Sequence, residues 1–138
     1  MFTQSREETR QFFRAAWSRH LSGTPLHAIE RMVADVIAAH PEYHAAVTAD
    51  HLDPAVVEPA DNPFLHMGLH IALREQLQAD RPVGVRAAFQ AMQTRYPDAH
   101  TREHAIMELL ARVLWEAQST GTMPDEQVYL QRVRQLTG

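Results

Sequence analysis

Proline punctuates this sequence, and the stretches between the prolines carry the period of a helix. Pro25, Pro41, Pro63, Pro82, Pro97 and Pro124 each stand at or beside the start of a segment whose apolar residues recur every three or four positions. A proline in the first helical turn sacrifices no hydrogen bond, because that N–H has no intrahelical partner, whereas deeper in a helix its ring breaks the ladder. No stretch shows the alternation of β-branched and polar residues that marks a strand, and neither a repeat nor a low-complexity tract is found. The expectation is an all-α protein, residues 1–138 forming a single domain: an antiparallel helical bundle with short accessory helices.

The spacing predicts a first helix from Ser5 to Leu21, with Ser5 and Glu8 as a capping box, Phe12, Phe13, Ala16 and Trp17 as its apolar stripe, and Gly23 as its stop. A second helix follows Thr24 and Pro25 and places Ile29, Val33, Val36 and Ile37 on one face. It must break at His40-Pro41, since proline disfavours helical geometry at the residue before it, and a short helix from Pro41 to Thr48 then resumes. The stretch Ala49 to Asp61, with three Asp, one Glu and two Pro, reads as the one long loop. Asn62 should cap a helix from Pro63 to Ala79, followed by helices from Pro82 to Arg95, Asp98 to Ser119 (stopped by Gly121) and Pro124 to Leu136. Trp17 and Trp115 are both expected in the core.

Composition narrows the chemistry. The absence of cysteine removes disulfides, thiolate metal sites and thiol nucleophiles, so any metal must be held by nitrogen and oxygen. A net charge of −4, no lysine and no basic stripe argue against nucleic acid as a partner. No apolar run approaches the length of a membrane span, and the N-terminal segment lacks the apolar centre of a signal peptide, which points to the cytoplasm and away from membranes. Self-association into a homo-oligomer is left open.

Histidine is the one residue type whose placement advertises a site. Of nine histidines, His40/His44, His66/His70 and His100/His104 form pairs four apart. Random scattering would give about half of one such pair, and i, i+4 residues share a helix face, where two imidazoles can grip one ion. On a helical wheel His66 and His70 share an arc with Leu73 and Leu77, so both should face the core. On the helix after Pro97, Glu103 falls within the arc of Met107, Leu110 and Leu114, with His100 and His104 at its edge and Glu108 further out. A buried carboxylate needs a partner, and a cation would satisfy Glu103, His104 and Glu108 together. Of the first pair, His44 is the better candidate, because Pro41 removes the guarantee of a common face; Glu30 stands near the apolar edge of its helix as a further carboxylate. His20, His27 and His51 read as ordinary surface or helix-end residues.

The candidate metal ligands are therefore His44, His66, His70, Glu103, His104 and Glu108, a mixed set suited to one or two divalent ions of iron, manganese or zinc. Met67 stands where HExxH metalloproteases carry their general-base glutamate, and the chain has no phosphate-binding glycine loop and no GxSxG elbow. Nothing in the residues selects a reaction. The segments HPEYH at 40–44, NPFLHMGLH at 62–70 and EHAIMELL at 103–110 make the chain resemble, over nearly its whole length, the bacterial family catalogued as domain of unknown function 1841. That resemblance implies a bacterial helical domain and no particular activity. The histidine and carboxylate pattern is also similar in kind to hemerythrin and DinB-like metal bundles, in a different spacing and order. Beside the metalloprotein reading stands a second one: a non-catalytic helical interaction module whose histidines are structural or pH-sensing and hold no metal.

Overall fold

The computed structural model describes residues 6–48 and 62–137; the expected acidic loop, His51 and the Ser5 half of the first capping box lie outside them. Among the described residues there are seven α-helices, one short 3-10 segment and no strand: α1 (Arg6–Ser22), α2 (Ala28–Ala38), the 3-10 turn Pro41–Tyr43, α3 (His44–Thr48), α4 (Pro63–Ala79), α5 (Val85–Ala91), α6 (Ala99–Thr120) and α7 (Glu126–Gln135). The fold is all-α, as the periodicity requires. None of these helices is long and apolar enough to cross a membrane.

The helix ends follow local chemistry. Gly23 (φ 75°) and Gly121 (φ 68°) close α1 and α6 in the left-handed conformation that lets the following N–H reach back, Thr24 to the Arg19 carbonyl at 3.0 Å and Thr122 to the Ala117 carbonyl at 2.9 Å. At α4 the Phe64 N–H donates to Asn62 Oδ1 at 2.9 Å and Pro63 is the first helical residue, as expected. Elsewhere the helices begin two or three residues after their proline. Asp98 accepts from the Thr101 N–H and Asp125 from the N–H groups of Gln127 and Val128, so these carboxylates, not Pro97 and Pro124, set the starts of α6 and α7. Accepting the Thr101 backbone N–H and hydroxyl holds the Asp98 carboxyl below its usual range. The helix expected from Pro82 to Arg95 shrinks to Val85–Ala91, preceded by Gly84 in a left-handed conformation (φ 101°).

Backbone contacts divide the chain into two units, 1–71 and 72–138, with the division inside α4. In the first, α1 packs against α2 and α3, around a core of Phe13, Ala16, Trp17, Val33, Val36, Ile37, Val47, Phe64, Met67 and Ile71. Phe13 meets Phe64 edge to face at 5.5 Å. In the second, α7 packs against α5 and α6. The buried Arg102 ties the α5–α6 connection by donating to the carbonyls of Tyr96 and Pro97 and lying over the Phe89 ring. Tyr129 donates to Gln76 at 2.7 Å, and burial raises its phenol above the ordinary value. Trp115 corrects the expectation for α6: it is 66% exposed, on the outer side of the helix with Ala111, whereas Trp17 is buried.

Candidate metal centre

The site begins where α2 fails to continue. In an unbroken helix the Val36 and Ile37 carbonyls would accept from the N–H groups of residues 40 and 41. Pro41 has no N–H, and His40 adopts φ −126°, ψ 69°, well outside the helical region. Its own N–H moves to the Ile37 carbonyl (3.0 Å), and the vacated Val36 carbonyl takes the His40 ring instead, Nδ1 to oxygen at 2.7 Å. A carbonyl only accepts, so Nδ1 carries the proton, and in the neutral ring the lone pair is on Nε2.

The other two members come from α4. His66 and His70 lie one turn apart, as a four-residue spacing on a regular helix dictates, with ring centroids 4.9 Å apart. The His40 ring stands 5.1 Å from His66 and 4.7 Å from His70, edge to face with both. His40 is 2% exposed and His70 fully buried, and His66 is half-buried. Each of the three rings offers a nitrogen within 4.8 Å of those of the other two. Tyr43 walls one side, its ring nearly parallel to His40 (7°) at 5.4 Å and edge-on to His66 at 5.9 Å. Tetrahedral nitrogen ligands around zinc are separated by about 3.4 Å, so an ion would draw these rings together by an ångström or so, within the reach of side-chain torsions.

The remaining candidates have other occupations. His44 donates from Nε2 to the Ile37 carbonyl at 2.9 Å and leans on Trp17 at 4.7 Å; the structure gathers His40, not His44, with His66 and His70. His20 stacks on the same indole at 5.1 Å. Glu30 accepts the His27 backbone N–H at 2.9 Å and an Arg19 guanidinium N–H at 2.6 Å, so it caps α2. Those bonds hold its carboxyl below the usual range, the His27 N–H most of all. In the second unit Glu103 is buried, as the wheel indicated, and receives a forked pair of bonds from Arg74 at 3.0 and 3.2 Å. Glu108 is exposed. His104 is half-buried, with the His100 ring at 4.3 Å.

Sequence reasoning missed His40. Its signal was the proline after it: an X-Pro step at a helix end turns the preceding side chain off the periodic face that a helical wheel can describe.

No curated protein and no solved structure matches the chain. One family model does, over residues 5–135, a span that contains the segments HPEYH, NPFLHMGLH and EHAIMELL of this chain. The chain belongs to the family described as domain of unknown function DUF1841.

Proposed function

We propose that this protein binds one divalent transition-metal ion through His40, His66 and His70. The observation that carries the reading is the convergence of three imidazoles from two elements in a mostly buried pocket, one of them anchored through Nδ1 by a backbone carbonyl. Carboxylates leave the proposed set because Glu103 is engaged by Arg74 and Glu108 faces solvent. An all-imidazole shell favours zinc or ferrous iron over manganese, which prefers oxygen. Because the ion would tie the end of α2 to α4, its proposed role is to stabilise the fold, in the cytoplasm.

The test is thermal denaturation of tag-free protein, stripped by chelation and then titrated with zinc. Saturation at about a thousand times Kd should stabilise the folded state by about 4 kcal/mol. His40→Ala and His70→Ala should each abolish that gain, while His20→Ala should keep it. A wild type indifferent to zinc and iron overturns the reading and leaves the histidines as core residues of an interaction module.

A further inference from the structure

Pro41 is exposed and has no metal-ligating side-chain atom, yet the conformation it imposes decides which nitrogen His40 presents. With any other residue at 41, α2 could run on, the N–H groups of residues 40 and 41 taking the Val36 and Ile37 carbonyls. The proline removes one of those donors and forces residue 40 out of the helical region, so the Val36 carbonyl accepts from His40 Nδ1 at 2.7 Å. The ring is then anchored through Nδ1, so that in its neutral form Nε2 is the nitrogen that can coordinate. The Ile37 carbonyl, which would have received the missing N–H, accepts from the His40 N–H and from His44 Nε2. The second histidine of the HPEYH segment is thereby turned to a backbone-capping role against Trp17. Tyr43, fixed by its own N–H to the His40 carbonyl at 2.9 Å, lies flat on the other ring.

We infer that Pro41 is a positioning residue of the histidine site: by ending α2 it frees the Val36 carbonyl to hold the His40 Nδ1 proton and so presents Nε2 to the ion. The inference rests on the metal-binding reading for its consequence, but the tautomer it predicts is a property of the metal-free protein. An outer hydrogen bond of this kind fixes a ligand's tautomer and direction, and its loss typically lowers metal affinity by roughly tenfold to a hundredfold.

Two measurements test it on the full chain. Long-range 1H–15N correlation spectra of the metal-free protein above neutral pH should show His40 as the Nδ1–H tautomer in the wild type. In Pro41→Ala it should revert toward the Nε2–H form that a free imidazole prefers. Cobalt(II) titration, read by its visible absorption, should then show Pro41→Ala binding roughly tenfold or more weakly with its helical circular dichroism intact. Should that variant lose its helical spectrum, Pro41→Gly restores the N–H without favouring helix and is read in the same way. An Nε2–H tautomer in the wild type, or a variant with unchanged tautomer and cobalt affinity, overturns the inference. A wild type that shows the Nδ1–H form yet takes up no cobalt overturns the metal reading alone.

Discussion

Removing the Glu103 carboxylate separates two roles that a buried acid on α6 could have. The structure pairs it with Arg74 through two N–H to oxygen bonds of 3.0 and 3.2 Å, the Glu103 side chain 8% exposed and the Arg74 side chain 27%. Breaking a buried pair by deleting one partner costs about 3–5 kcal/mol when the survivor stays dry. After Glu103→Ala the surviving guanidinium already has some access to water, so the expected loss is nearer about 2 kcal/mol. Arg74→Ala should cost about as much, because it takes both guanidinium bonds from the better-buried carboxylate. For a chain of this length about 2 kcal/mol corresponds to a fall in Tm of roughly 6–10 °C. Chemical denaturation of Glu103→Ala, Arg74→Ala and the double variant, all metal-free, gives the coupling, expected at about 1–3 kcal/mol. Zinc stoichiometry of Glu103→Ala should match the wild type. A variant of unchanged stability that loses its metal would refute the ion-pair argument and restore Glu103 to the ligand set.

Trp17→Ala should destabilise by about 3–5 kcal/mol and Trp115→Ala by under about 0.5 kcal/mol in urea unfolding, since only the former empties a core position. His44→Ala should leave zinc binding intact and cost about 1 kcal/mol for the lost bond to the Ile37 carbonyl, a contrast with His40→Ala that calorimetry would read. Because the Glu30 and Asp98 carboxyls are held below their ordinary values in the folded state, their contribution is fully present above those values. It is lost as the pH falls through the depressed ones, so acid unfolding should be less steep in Glu30→Gln and Asp98→Asn.

The helices were legible because periodicity and end signals are local. Asn62-Pro63 opened α4, and Gly23 and Gly121 closed α1 and α6, where the sequence places them. α6 begins one residue after the expected Asp98, which caps it, whereas the start of α7 slipped by two residues because Asp125 does the capping and Pro124 stands outside the helix. His66 and His70 were readable for the same reason as the helices: a regular α4 turns a spacing of four into a shared direction. His40 was not, since its ring is aimed by an irregular backbone at the His40-Pro41 step. The role of Glu103 was half legible. The wheel placed it indoors, but its partner Arg74 is 29 residues away, and no local pattern announces a pairing across that distance. Trp115 misled because its size argues for burial while its position on α6 exposes it.

The central claim, an ion held by imidazoles alone, is tested most directly by X-ray absorption at the zinc edge of tag-free protein reconstituted with one equivalent of zinc. The account predicts a nitrogen-dominated first shell at about 2.0–2.1 Å with strong outer-shell scattering from imidazole carbons. An oxygen-dominated shell without that scattering, or a protein that retains no zinc after desalting, would contradict it.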